Sequence, residues 1–298
     1  MVRLNRVFAS RRPLSETEAL SGTFPLRREH LYLLGFLLGI ANTGFQSVFA
    51  DAQANGLIVS LANLFGISAL VWAGLPAIVS TVLEGKEQVR TPSYLEIALF
   101  VLVLLACFVP LRAAAAGATS LLAIFAIATS PWRSPLSRAA FIALACVAAL
   151  YWGRVLLAMS GTALLDLDVL LAGTFSGLEA QGNMLLYAST DPEFAGDGFL
   201  VAAGCSSLHG ISLALLAFVL TTQFYNLPFS PQTMFWGLVG VLSTIAINIA
   251  RLSAMGYYPE HFEWIHVGTG AAIAGIVSLA LVLAANLGGN WRAITSID

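Results

Sequence analysis

Long apolar runs separated by short polar segments are the feature of this sequence that most limits its fold. A helix needs about 20 apolar residues, at a rise of about 1.5 Å each, to cross a bilayer. Such runs recur from Leu31 to the C-terminal region, and only 10% of the residues are charged. Soluble domains are about one-quarter charged. The sequence therefore predicts a membrane protein with several spans and argues against a solenoid, a disordered chain or a water-soluble enzyme.

The apolar runs predict an all-α fold with eight transmembrane helices. Residues 1–30 are expected to form a basic tail, and residues 31–298 a single integral-membrane domain. The Val48-Phe49-Ala50 triplet imitates a signal-peptide cleavage site, so cleavage of the N-terminal segment stays open. The expected spans, each uncertain by several residues, are 31–49, 56–82, 95–111, 113–130, 139–153, 206–222, 233–250 and 267–287.

The distribution of basic residues predicts the orientation of these helices. With a cytoplasmic N-terminus, eleven of the 14 lysines and arginines fall in inner segments. The other three, Arg112, Arg154 and Arg251, fall in outer segments. The positive-inside rule therefore predicts that both termini are cytoplasmic. Six of the inner arginines precede Leu31, and beside a span such a cluster is typical of a cytoplasmic flank, so no nucleic-acid partner is expected.

The longest segment between spans, about 154–205, is expected outside the membrane. Leu156 to Leu171 is apolar with two acids, which suits a helix lying in the membrane interface. Residues 179–187 and 199–202 read as strands joined by a turn-rich segment at 190–198. We therefore expect a small β-hairpin held over the outer mouth of the helix bundle.

Three reactive side chains converge at the outer face in this topology. Cys205 is expected at the N-terminal end of the sixth span, Arg251 at the C-terminal end of the seventh, and His266 at the start of the eighth. Ionisable residues at span ends are candidates for function when snorkelling does not explain them. The three are predicted to lie at one depth.

The chemistry of these three groups suits a cysteine nucleophile. The N-terminal end of a helix and a nearby cation both stabilise a thiolate, the reactive form of cysteine. His266 is the expected general base and acid, and Arg251 the group that stabilises the thiolate or an oxyanion. Free backbone N–H groups of Ser206 and Ser207 are expected to complete the oxyanion site. Asn248 and His209 are expected to bind substrate or support the site, although Asn248 also suits helix-to-helix hydrogen bonding.

The motifs around these residues resemble the exosortase/archaeosortase family. The resemblance rests on Ala-Gly-Cys-Ser-Ser at 203–207, Asn-Ile-Ala-Arg at 248–251 and a single histidine, His266, before the last span. It covers about residues 150–290, and Cys-Ser-Ser stands where the family has Cys-Ser-Gly. The resemblance implies an eight-span cysteine transpeptidase or protease of the cell inner membrane that uses a Cys, Arg and His set and acts at the extracytoplasmic face.

The resemblance also implies a substrate class. Such substrates are membrane-anchored proteins with a C-terminal recognition motif, a hydrophobic helix and a basic tail. Cleavage would proceed through a thioester acyl-enzyme, with transfer to water or to a surface acceptor. The lipid bilayer is the other expected partner, and no cofactor is expected.

Other classes of function remain alternatives. Cys205 and His209 are spaced i,i+4, which in a continuous helix would put them on one face, so a metal-dependent membrane protease is one rival. A serine protease using Ser206 or Ser207 is another, although no nucleophile elbow is present. In a transporter or channel, Cys205, Arg251 and His266 would instead line a pathway, but Glu96 is the only acid that approaches the interior of a span.

Overall fold

The structure is a computed structural model that describes residues 27–62, 64–85, 90–109, 111–189, 191–194 and 196–295. Within these ranges the chain is mostly helical, with three short strands between residues 180 and 200. The expected tail, residues 1–26, lies outside the described residues. The helices are α1 Arg28–Asn55, α2 Leu57–Ala62, α3 Ala69–Leu83, α4 Tyr94–Phe108, α5 Arg112–Thr129, α6 Pro135–Met159, α7 Ala163–Ser176, α8 Ser207–Phe224, α9 Pro231–Tyr257, α10 Phe262–His266, α11 Thr269–Gly288 and α12 Trp291–Thr295.

Six of the described helices are long and apolar enough to cross a membrane: α1, α5, α6, α8, α9 and α11. The prediction of a helical membrane protein is thereby confirmed. The helices α3 and α4 are apolar but have 15 residues each, so each measures about 22 Å, less than the apolar thickness of a bilayer. Eight spans therefore remain a prediction that depends on these two helices.

One predicted span begins close to its expected position, and the next is interrupted. The first helix begins at Arg28, three residues before the expected span, and an ion pair with Glu96 holds Arg28 in the bundle. The expected span 56–82 is interrupted, since a short helix and a turn precede α3, and the turn contains Phe65 with φ 56°. A non-glycine residue in this left-handed region ends a helix.

Polar contacts divide the bundle into two ends. One end, here called the arginine-rich end, joins Arg28 to Thr129, Arg138 to the carbonyl of Gln223, and Thr233 to Asn290. It contains the start of α1 and the C-terminal end of α11, so both limits of the described bundle lie together. The opposite end, here called the cysteine end, contains the start of α8 and the junction between α10 and α11.

A small separate core covers the cysteine end. It is built from α7, the strands β1 Ala180–Gln181, β2 Met184–Leu186 and β3 Gly198–Leu200, the last turns of α9, and α10. The strands form one antiparallel sheet in the order β1-β2-β3. These elements are here called the cap. Its buried side chains include Val169, Leu185, Phe199 and Met255. Cys205 belongs to this core rather than to the main core of the bundle.

The segment before the sixth predicted span differs from the sequence prediction in two ways. The helix expected over Leu156 to Leu171 is broken at residues 160–162, where Gly161 has φ 58°, so α6 and α7 are separate helices. The expected first strand, 179–187, contains two paired strands, β1 and β2, which are joined by a tight turn at Gly182 and Asn183. Gly182 has φ 59°, which favours glycine.

Candidate active site

Cys205 lies in a turn immediately before α8. Residues Ala203–Cys205 form a single 3₁₀ turn, and Ser206 is the extended residue that begins the helix, with its side-chain oxygen accepting from the backbone N–H of Leu208. The thiol is thus presented from the loop just outside the helix N-terminus. Its side chain is only 3% exposed, because the cap core surrounds it.

The structure brings the three predicted residues together around one sulfur atom. His266 Nε2 lies 3.1 Å from Cys205 Sγ, and Arg251 Nη2 donates to the same sulfur at 3.6 Å. Three elements far apart in sequence supply these groups. A basic nitrogen and a guanidinium at these distances can accept a thiol proton and stabilise a thiolate.

Two of the three residues occupy positions that differ from the predicted ones. Arg251 does not end its helix, since α9 continues to Tyr257 and supports the cap with its last two turns. His266 does not open the last span but ends the short helix α10, which is separated from α11 by Val267 and Gly268. The convergence arises because α10 folds back over the end of α9.

The prediction that the backbone N–H groups of Ser206 and Ser207 are free to form an oxyanion site is wrong. The backbone N–H of Ser206 donates to the carbonyl of Ala203, and that of Ser207 donates to Oδ2 of Asp168 at 2.9 Å. Both groups are therefore occupied by contacts within the protein. Arg251 has a free donor instead, because its buried Nε has no hydrogen-bond partner among the described residues.

Asn248 holds the turn that carries Cys205. Its Nδ2 group donates to the carbonyl oxygen of Cys205 at 2.8 Å and to Oγ of Ser207 at 3.1 Å. Both amide hydrogens are thus used inside the protein, and only the amide oxygen can serve a ligand. Asn248 lies one turn before Arg251 on α9, so the same helix fixes the backbone and the sulfur of Cys205.

His209 is not paired with Cys205. The i,i+4 relation assumed a continuous helix, but Ser206 has ψ 140° and breaks it. His209 is exposed and lines a neighbouring cavity. Within the described ranges, no three His, Cys, Asp or Glu side chains gather as metal ligands.

Aromatic packing sets the orientation of the His266 ring. The rings of Phe262 and His266 have centroids 5.0 Å apart at 32°, and Phe199 of β3 packs against Phe262 at 5.4 Å. In the described part of the chain, no hydrogen bond reaches Nδ1 of His266. The sheet therefore supports the imidazole through Phe199 and Phe262 instead of through a carboxylate.

Two cavities flank Arg251 at the cysteine end. The first, of about 660 Å³, lies among the segment 66–70 and the helices α8, α9 and α11. The second, of about 620 Å³, lies against α10 and includes Glu260, His261 and Trp264. Ile247, Arg251 and Ala274 line both. A ligand in either cavity can therefore reach the guanidinium next to the sulfur.

Asp168 and Phe262 are site residues that sequence reasoning missed. Asp168 is 5% exposed and lies on the buried face of α7, together with Leu165, Val169 and Ala172. A carboxylate on the buried face of a helix requires a buried partner, so its position was the available signal. No comparable signal marked Phe262.

Comparisons with known proteins reveal no relative of this chain. No family model matches the chain, and neither the curated proteins nor the solved structures give a significant match. The site must therefore be interpreted from its own residues and geometry.

Proposed function

We propose that this protein is a membrane cysteine peptidase or transpeptidase of the exosortase type. The observation that carries the proposal is the position of His266 and Arg251 at 3.1 and 3.6 Å from the sulfur of Cys205. A buried cysteine that served only packing would not need a base and a cation together. The resemblance of the motifs around these residues to the exosortase/archaeosortase family supports the same conclusion.

In the first step, Cys205 attacks the scissile carbonyl carbon of a peptide. The Sγ proton moves to Nε2 of His266 as the carbon–sulfur bond forms. Arg251 stabilises the negative oxygen, for which its unpartnered Nε–H is available. The carbon–nitrogen bond then breaks, and the leaving amine takes the proton from His266. A thioester of Cys205 and a free amine result.

In the second step, an acceptor releases the acyl group. Water or an amine gives one proton to Nε2 of His266 and attacks the thioester carbonyl. The carbon–sulfur bond breaks, and the proton returns to the sulfur. The products are an acid or a new amide, together with the Cys205 thiol with which the cycle began.

The proposed substrates are membrane-anchored proteins with a C-terminal hydrophobic helix and a basic tail. The bilayer brings such tails to the depth at which the cysteine end would lie. Most described arginines gather at the opposite end, including Arg27, Arg28, Arg90, Arg133 and Arg138, which favours a cytoplasmic position for that end. The proposed site then faces the extracytoplasmic side of the inner membrane.

The test is C-terminal mapping of membrane and surface proteins by mass spectrometry, in wild-type cells and in a Cys205→Ala strain. We expect some proteins to retain a hydrophobic, basic tail only in the variant, and their mass difference gives the cleavage position. Cys205→Ser should behave in the same way, because a hydroxyl is a much weaker nucleophile than a thiolate beside the same base.

Cys107→Ala and Cys146→Ala are the matched controls, since both residues lie in helices away from His266. They should leave every tail processed. Unchanged tails in a Cys205→Ala strain that still inserts the protein would refute the peptidase function. Flux that depends on a substrate and survives Cys205→Ala would point to a transporter.

A further inference from the structure

The 660 Å³ cavity beside Cys205 extends away from the site and along the helices. On α11 its wall runs from Ala271 to Val282, and on α8 and α9 it includes Gly210 and Thr244. The eleven helical steps from Ala271 to Val282 span about 16 Å, roughly half the apolar thickness of a bilayer. The cavity therefore connects the reactive end with the middle of the membrane domain.

The size of the cavity limits what it can hold. A helix with its side chains is about 10 Å across, so enclosing it over that length would take about 1,300 Å³, about twice the cavity volume. An extended chain rises about 3.3 Å per residue, so about five residues would cover the same distance. The volume thus suits an extended segment better than an intact helix.

The polar groups of the wall indicate that the occupant is a peptide. Three residues that carry hydroxyl groups, Ser68, Thr244 and Ser278, line the cavity, and Ser278 lies about 10 Å further along α11 than Ala271. A peptide backbone at this depth needs hydrogen-bond partners, because lipid supplies none. An acyl chain needs none and would be better served by a purely apolar wall. At the mouth, the buried Nε of Arg251 is also without a partner among the described residues.

From these features we infer that the cavity binds about five apolar residues of the substrate in extended form, next to the scissile bond on its membrane side. This inference rests on the proposed function. It implies that the first turns of the substrate's anchoring helix unwind before cleavage. Tails rich in β-branched residues or glycine at this point would then be preferred, because such residues weaken a helix.

Gly275 provides a specific way to fill the cavity. It lines the wall on α11, and a Cβ atom built on it would meet no atom within 4 Å. A side chain added at Gly275 therefore starts in open space and extends into the cavity. Gly117 on α5 is the matched control, since a Cβ atom at that position also meets nothing within 4 Å and Gly117 lies outside the cavity.

The test is photolabelling of the purified full-length protein in lipid nanodiscs. Three diazirine probes are compared: an acetylated and amidated pentapeptide of valine, alanine and photo-leucine, a twelve-residue helical peptide rich in α-aminoisobutyric acid, and palmitic acid. We expect the pentapeptide to label α8, α9 and α11 around the cavity most strongly. Gly275→Leu should lower this labelling at least tenfold and Gly275→Ala by less, while Gly117→Leu should leave it within twofold.

Three results would overturn the inference. They are labelling of these walls by palmitate but not by the pentapeptide, equal or stronger labelling by the helical peptide, and labelling that Gly275→Leu does not change. Cys205→Ala should keep the labelling, because binding does not require the sulfur. If tails are processed without Cys205 but the cavity is still labelled, the proposed chemistry fails and the binding site stands. If processing requires Cys205 but the cavity is not labelled, the proposed chemistry stands and the binding site fails.

Discussion

The two ends of the helix bundle use arginine in opposite ways. At the arginine-rich end, Arg28 is 4% exposed and its guanidinium is matched by Glu96 at 2.5 Å and by Thr129. Arg138 is similarly enclosed and donates to two backbone carbonyls at the end of α8. At the cysteine end, Arg251 contacts a thiol and has a buried Nε without a partner among the described residues.

The difference separates Arg28 and Arg138, whose donors serve the structure, from Arg251, which contacts the sulfur of Cys205 and keeps a donor for a ligand. A buried cation whose donors are all satisfied contributes to packing and register, and it offers nothing to a substrate. A cation with an unused donor has a desolvation cost that only a ligand or a transition state can offset.

Removing the negative partner at the arginine-rich end should destabilise the protein most. Glu96→Gln leaves Arg28 buried without its counter-charge, which we expect to lower the free energy of unfolding by about 3–5 kcal/mol. Thermal unfolding followed by tryptophan fluorescence in detergent measures this loss. Combining Arg28→Met with Glu96→Gln should restore much of the stability, because no charge then remains buried. Arg27→Gln is the control, since Arg27 is exposed; an unchanged melting temperature in Glu96→Gln would contradict the prediction.

Removing the cation at the cysteine end should impair activity instead of stability. Arg251→Met is expected to slow tail processing by about 10²–10³-fold, the usual effect of losing a donor to an oxyanion. The melting temperature should stay close to that of the wild type, because no acid among the described residues pairs with Arg251. Pulse-chase analysis of tail removal gives the rate. Arg154→Met, at an exposed position of the same end, should process normally. A marked loss of stability in Arg251→Met would mean that the two ends do not differ as described.

Loosening the His266 ring should have a smaller effect on the rate. Phe262→Ala removes the ring that packs on the imidazole, and we expect processing to slow by about 10–100-fold through misalignment of the base. Phe262→Tyr keeps the ring and should retain most activity. If Phe262 only filled space, a leucine at this position would retain activity as well. Phe262→Leu therefore separates the two cases, and full activity in Phe262→Leu would argue against ring stacking. Phe175→Ala, at an exposed position of α7, is the control.

The smallest expected effect concerns the carboxylate beneath the Cys205 turn. Asp168→Ala removes the acceptor for the N–H of Ser207 and should destabilise the protein by about 1 kcal/mol, as for other groups that cap a helix N-terminus. Asp168→Asn keeps an acceptor oxygen and should lose less. Melting temperatures of both variants decide the matter, with Asp166→Ala on the same helix as the control. Equal losses in the alanine and asparagine variants would show that the charge, not the hydrogen bond, is what matters.

The membrane class and most helix positions could be predicted from the sequence, because an apolar run of sufficient length has few stable structures other than a helix in lipid. The burial of Arg28 could not, since it depends on Glu96, which is 68 residues away. The break before α3 could not either. The residues around Phe65 are mostly apolar, with Asn63 and Gly66 as local exceptions, and hydropathy alone does not reveal its left-handed backbone.

At the candidate site, the sequence by itself singled out the side chains proposed to carry the chemistry: Cys205, Arg251 and His266 are reactive types near the ends of predicted spans. Only the tertiary structure decided how they meet, because α10 must fold back over α9 before His266 can reach the sulfur. It also decided that the N–H groups of Ser206 and Ser207 are occupied, and that Asp168 lies beneath them. Residue types follow from local sequence, whereas hydrogen-bond partners depend on which distant segments the packing of the cap brings within 3 Å.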